Sequence, residues 1–266
     1  MDMDTLGLGA LGMSIDVSPS YLDDARELEL LGFTTFWLPG GQIDRLGRLA
    51  DLVHATEKAT VAPAIVPVDV YAPAQVSELF DELSGTGRFV LGLGGPQTAR
   101  PLAGLNKYLD ELAVPSDRTL IAALGPRKLE MARDRAAGAV GLLVTPDWTA
   151  QARSALGGST LVVEQFVVVE SDSSRAREAA REPLSFLATV PGYRQNFLRM
   201  GFTETDVDDL SDRLVDGLVA WGSIDAISDR VAAHHAAGAD HVVLAPLGAS
   251  SIDAGRALSE LVALSK

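Results

Sequence analysis

The feature of this sequence that most limits its fold is a regular alternation. Short, continuous apolar runs rich in β-branched residues are each followed by a stretch with helical periodicity. The runs fall at Leu6–Met13, Thr34–Leu38, Thr60–Val66, Phe89–Leu93, Thr119–Ala123, Val140–Val144, Leu161–Val169 and His241–Ala245. Between them, segments such as SYLDDARELELLG, IDRLGRLADLVHATEK and APAQVSELFDELSG repeat apolar residues every three or four positions, and Gly32 and Gly85 are placed to stop the helices. Strands that are apolar throughout must be covered on both faces, which is the condition of a parallel sheet flanked by helices. Eight such units in 266 residues predict a (β/α)8 TIM barrel, one domain over residues 1–266. A doubly wound open sheet is the other arrangement the pattern permits. The longest interruption, about residues 170–222, separates the seventh and eighth runs. It is expected to be a helical insertion that caps the barrel mouth or makes a subunit contact.

Composition narrows the chemistry. A net charge of −14 argues against nucleic acid and anionic membranes as partners. With no cysteine, there are no thiolate nucleophiles, disulfides or cysteine-ligated metals. The acidic start MDMDTLGLGA lacks the basic region of a signal peptide, and no apolar run is long enough to span a membrane, so a soluble cytoplasmic protein is expected. In a barrel the chemistry sits at the C-terminal strand ends. Those ends carry mostly small and apolar residues, Pro39-Gly40-Gly41-Gln42 and Gly94-Gly95-Pro96-Gln97 among them. None of the four lysines is placed for a Schiff base, and none of His54, His234, His235 and His241 lies at the C-terminal end of a strand, so no metal centre is expected. His234 and His235, adjacent on a helix, diverge by about 100° and are read as facing solvent or a partner. His54 is read as a packing residue, Asp16 and Asp147 as helix caps, and Tyr71 and Trp148 as packing residues. The chemistry must then come from a bound cofactor, or be absent.

Two stretches bear on an anionic ligand. GRFVLGLGGPQ has the glycines of a dinucleotide loop, but Gln97 stands where the third glycine belongs. In AALGPRKLEMARDRAAG a strand runs into Gly125 and a helix starts at Pro126. Free N–H groups there, with Arg127 and Lys128, would hold a phosphate; the alternative is an ordinary strand-to-helix turn with solvated basic residues.

The stretch ELELLGFTTFWLPGG…LADLVHATEKATVAPAIVPVDVYAPAQVSELFDELSGTGRFVLGLGG resembles the first half of the bacterial-luciferase-like flavin and deazaflavin oxidoreductases. LGPRKLEMARDRAAGAVGLLVTPDWTAQAR resembles a later segment of that family. The C-terminal part from GYRQNF to VVLAPL resembles an actinobacterial subgroup dependent on the deazaflavin coenzyme F-420. The resemblance implies a TIM barrel, commonly a homodimer, with the ring of coenzyme F-420, or alternatively FMN, at the C-terminal mouth. Carried over, Gly40 and Gly41 lie beside the ring, and Ala64, Ile65 and Val66 form a third-strand bulge, often with a non-proline cis peptide, behind it. Gly94, Gly95 and Gln97 form the fourth-strand rim, whose glycines admit the ring closely. Ala123, Leu124, Gly125, Pro126 and Arg127 hold the phosphate of the cofactor tail.

The sequence also departs from the family. Gln97 stands where some relatives have a glutamate acid, Pro67 where the subgroup often has asparagine, and Ala137 where an aspartate precedes Gly138. These changes remove groups that position substrate or donate a proton. Gln97 can orient a ligand through its amide but has no titratable proton. The implied function is hydride transfer between coenzyme F-420 and a small organic substrate. An FMN-dependent monooxygenase and a member that has lost catalysis and only binds are the alternatives.

Overall fold

The computed structural model describes residues 6–96 and 100–264, the side chains of 263 and 264 excepted. Ten parallel strands form it: β1 (Leu11–Ser14), β2 (Thr35–Pro39), β3 (Thr60–Ala64), β4 (Val66–Pro67), β5 (Leu91–Gly94), β6 (Thr119–Ala122), β7 (Gly138–Leu142), β8 (Thr160–Val168), β9 (Val219–Trp221) and β10 (His241–Pro246). Their order is β3-β2-β1-β10-β8-β7-β6-β5-β4, with β9 added to β8. β3 and β4 are the halves of one strand interrupted at Ile65; β3 pairs with β2, β4 with β5, and a bridge between Val61 and Phe89 completes the ring. Eight barrel positions result, and all eight apolar runs occupy them. The closed (β/α)8 barrel is the fold, not the open sheet.

Helices α1 (Tyr21–Leu30), α2 (Gly47–Ala55), α3 (Pro73–Ser84), α4 (Pro101–Glu111), α5 (Pro126–Arg135), α6 (Pro146–Leu156), α11 (Ile224–Ala236) and α12 (Ser251–Leu264) cover the outside. Alternation sorts each strand. Leu161, Val163 and Val167 of β8 join the large core between sheet and helices, whereas Val162 meets Trp37, Ala62, Val90, Leu120, Val140 and Val243 inside the barrel. No helix among the described residues is long and apolar enough to cross a membrane.

Several local expectations are corrected. The first strand starts at Leu11 rather than Leu6, because Gly7 and Gly9 both adopt φ of +68° and break the extended chain. Leu6 and Leu8 instead fill the barrel floor beside Trp37. Gly85 does stop α3, as expected, but in an ordinary right-handed conformation, and the left-handed turn follows at Gly87, φ +65°. Ser20 precedes α1, and Thr145 caps α6 by accepting from the Trp148 N–H at 3.2 Å, so neither Asp16 nor Asp147 is the cap. Asp16 accepts from Gln42 Nε2 at 2.8 Å. His54, read as a packing residue, is exposed in the last turn of α2.

His234 is the largest reversal. It is 0 % exposed, held between Thr149 Oγ1 at 2.9 Å and Gln165 Oε1 at 3.0 Å. Gln165 gives its amide hydrogens to the Phe166 and Leu218 carbonyls, so its oxygen faces His234 as an acceptor. His234 is therefore neutral with the proton on Nε2, and Thr149 donates to Nδ1. Burial, reinforced by the charges of Arg230 and His235, pulls its pKa down to about 3.

The insertion contains α7 (Ser173–Leu187), α8 (Pro191–Arg199), α9 (Glu204–Asp208) and α10 (Asp212–Leu218), and also β9, which the sequence reading did not assign. β9 pairs with Phe166–Val168, beyond the point where β7 has ended at Leu142. Arg177 ties α7 to α10 through Asp216 at 2.7 Å and Asp212 at 2.8 Å, and stacks over Trp221. Phe197, Phe202, Leu214 and Val215 form a second apolar cluster with Leu143 and Phe166, which seats the insertion on the C-terminal side of β7 and β8.

The barrel mouth as candidate site

The interrupted strand shapes one side of the mouth. The Ala64–Ile65 peptide bond is cis, as the resemblance implied. The glycines around it were expected to admit a planar ring; at three of them the close neighbour is the chain itself. A Cβ on Gly92 would stand 2.2 Å from the Pro63 carbonyl oxygen, one on Gly40 2.2 Å from the Ile65 carbonyl oxygen, and one on Gly94 2.0 Å from Ile65 Cδ1. Gly41 differs, because a Cβ there would meet nothing within 4 Å. Ala64 and Ile65 are half-buried and Val66 is buried.

The rim between β5 and α5 carries the charge. Ala123 belongs to the wall, its N–H bonded to the Val140 carbonyl, and the Leu124 carbonyl accepts from Trp148 Nε1 at 3.0 Å. Gly125 precedes α5 with no side chain to cap it, Pro126 opens the helix and Arg127 is exposed. Two cations stand at this part of the rim. The Lys128 ammonium lies 3.0 Å from where a Cβ of Gly95 would be, and Arg199, from the end of α8, has Nη2 3.4 Å from the corresponding point of Gly125. Arg199 bonds to the Asn196 side-chain oxygen at 3.0 Å. Burial lowers both pKa values, and no acid among the described residues is near enough to offset it. The sequence reading found Lys128 but missed Arg199, which arrives from more than 70 positions away in sequence as a matter of tertiary packing. Gln97 lies outside the described residues.

A second missed residue is Glu164, 6 % exposed on β8. Its register partners are Val243 and Leu142. Alternation directs it inward with Val162 and Val243, and because Leu142 ends β7, Glu164 stands at the level of the mouth. Burial pushes its carboxyl up to about 8. Burial pushes the phenol of Tyr193, on α8, upward, and the Glu164 carboxylate adds to it, so the two groups lie within electrostatic range. Helix α8 of the insertion thus brings Tyr193 into electrostatic range of Glu164 and Arg199 beside Gly125. No group of ligating side chains suited to a metal ion occurs among the described residues.

No protein-family model matches the sequence, and no curated protein is similar to it in sequence. Solved structures are similar in fold. A coenzyme F-420-dependent secondary alcohol dehydrogenase, in complex with a coenzyme–acetone adduct, superposes with TM-score 0.74 at 12% identity, covering 97% of this chain and 99% of the other. The coenzyme F-420-dependent tetrahydromethanopterin reductase of Methanopyrus kandleri gives 0.72 at 14% identity over 96% and 99%. The oxygenating constituent of 3,6-diketocamphane monooxygenase from Pseudomonas putida, in complex with FMN, gives 0.64 at 13% identity over 97% of each chain. The chain therefore has the barrel fold seen in luciferase-like deazaflavin-dependent oxidoreductases and flavin-dependent monooxygenases.

Proposed function

We propose that this protein is a luciferase-like oxidoreductase that binds coenzyme F-420 at the barrel mouth and passes hydride between it and a small organic substrate. The observation that carries this reading is the placement of Lys128 beside Gly95 and of Arg199 beside Gly125, neither with an acidic partner among the described residues. In a chain of net charge −14, a partly buried lysine and an exposed arginine at this rim, with no acidic partner among the described residues, fit a phosphate-bearing ligand. The residues present fit the cofactor. Gly125, Lys128 and Arg199 would hold its anionic tail, the open space at Gly41 leaves room for the ring, and Ile65 would back it. When bound, the deazaflavin supplies the redox chemistry, while the chain binds it, orients it and covers it with α8.

The same cradle would accept FMN, which the diketocamphane enzyme holds on this fold. Absorbance titration with each cofactor separates the readings. Micromolar binding of coenzyme F-420 and not FMN supports the proposal, the reverse supports a monooxygenase, and binding of neither leaves a non-catalytic role for the fold. We also propose a homodimer, measurable by sedimentation; Phe186 of the insertion, 69 % exposed, is an apolar side chain such a contact would cover.

The cradle makes a mutational prediction. An aspartate at Gly125 would sit within reach of Arg199 and place a fixed carboxylate where the phosphate belongs. Gly125→Asp is expected to weaken cofactor binding at least 100-fold with the unfolding midpoint unchanged. Arg199→Ala and Lys128→Ala should each cost about 10-fold, on the order of the 1.5–3 kcal/mol of a charge-assisted hydrogen bond. Unaltered affinity in Gly125→Asp would place the anion elsewhere.

A further inference from the structure

Glu164 is costly where it stands. It is 6 % exposed, no hydrogen bond or ion pair to it is found among the described residues, and its neighbours in register are Leu142 and Val243. Val162 lies below it inside the barrel and Phe166 follows on the same face. The titratable group facing it is Tyr193 on α8; the cations of the rim, Lys128 and Arg199, lie against Gly95 and Gly125. A glutamine or a leucine would fill this place without the desolvation of a carboxyl. Gln165, the next residue, shows what a structural polar group on this strand looks like, with its amide fully bonded on the outer face. Glu164 has no such partners and points toward the mouth.

We propose that Glu164 is a ligand-contacting acid: under α8 and beside Tyr193, its carboxyl group donates its hydrogen to a neutral acceptor, a carbonyl oxygen or ring nitrogen, of the molecule bound in the mouth. This rests on the mouth being the binding site and extends that reading to the polar contact that selects the ligand. It also supplies the titratable proton that Gln97 lacks. The burial that raises the Glu164 pKa to about 8 keeps the hydrogen in place near neutrality.

A hydrophobic carbodiimide tests this directly, because it is itself a neutral acceptor. Its nitrogen takes the carboxyl proton, the carboxylate oxygen bonds to its central carbon, and the adduct remains on the residue. Dicyclohexylcarbodiimide near neutral pH is expected to label Glu164, read by peptide mass, with a rate falling about tenfold per pH unit above about pH 8. Glu164→Gln should remove that label and leave the rest of the map unchanged. Whichever of coenzyme F-420 or FMN binds in the titration should slow the labelling in proportion to its occupancy. Absence of the label, or labelling at full rate with cofactor bound, overturns the proposal. If neither cofactor binds, the proposed function fails on its own terms and cyclohexanone serves as the protecting carbonyl. Protection then sustains Glu164 as a ligand contact, and unprotected labelling overturns it.

Discussion

Between about pH 4.5 and 6.5 the stability of this protein is expected to be nearly flat, and single substitutions at His234 and Glu164 should tilt it in opposite directions. His234 has a folded pKa of about 3 against an ordinary 6.5. The unfolded chain therefore takes up a proton that the native state refuses, and stability falls as pH drops below 6.5. Glu164 has a folded pKa of about 8 against an ordinary 4.5. Its native form is the protonated one, so its contribution is intact below 4.5 and is lost as pH rises toward 8. Each effect has a slope of about 1.4 kcal/mol per pH unit within its window, and in the overlap they cancel. His234→Gln should leave Glu164 unopposed, so stability falls by about 2 kcal/mol from pH 4.5 to 6.5. Glu164→Gln should leave His234 unopposed, so it rises by about the same amount. His234→Gln should also cost about 2–4 kcal/mol near pH 7, because it breaks the bonds to Thr149 and Gln165 in a site with no solvent. Urea unfolding at the two pH values measures all three proteins. Parallel pH dependences in parent and variants would refute the assigned protonation states. Carboxylates with lowered pKa, such as Glu29 and Asp206, lose their contribution only below their ordinary values, so they leave this window undisturbed.

The barrel was legible because its strands are apolar on both faces, a local property that survives without knowledge of the neighbours. What was not legible depends on contacts distant in sequence. β9 is three residues long and reads as the end of a helix; only the exposed edge of β8 beyond Leu142 makes it a strand. Arg199 lies in NFLRMG, with no local mark that α8 returns it to Gly125. The adjacent histidines were read as facing solvent or a partner, and no local mark shows that one of them turns toward Gln165 and the barrel wall. Glu164 and Gln165 did leave a signal. Two adjacent polar residues inside TLVVEQFVV cannot both be surface residues of a strand covered on both faces, so one belongs inside the barrel and one outside. The strand-to-helix turn at Gly125, proposed above to hold a phosphate, was legible in sequence because strand, glycine, proline and basic residues are contiguous there.

The glycines of LGLGG and PGG invite a ligand explanation, and substitution at Gly92 and Gly41 separates packing from binding. In Gly92→Ala the new methyl carbon would stand 2.2 Å from the Pro63 carbonyl oxygen, a backbone atom of the adjoining barrel strand that cannot rotate away. Either β5 or β3 must shift, and both lie in the closed ring, where the Val61–Phe89 bridge joins their two segments. Overpacking of a rigid core typically costs 1–3 kcal/mol, and a clash with backbone belongs at or above the upper end. Gly92→Ala is therefore expected to lose about 3 kcal/mol or more in urea unfolding, with cofactor affinity falling only as the fraction folded falls. Gly41→Ala meets nothing within 4 Å, so its stability should change by less than about 0.5 kcal/mol. A side chain larger than alanine there, as in Gly41→Leu, would extend into the open mouth, and it should weaken cofactor binding at least tenfold while the fold persists. If Gly92→Ala were as stable as the parent and Gly41→Leu bound cofactor normally, the close approach would be a ligand's and the space at Gly41 would not belong to the site.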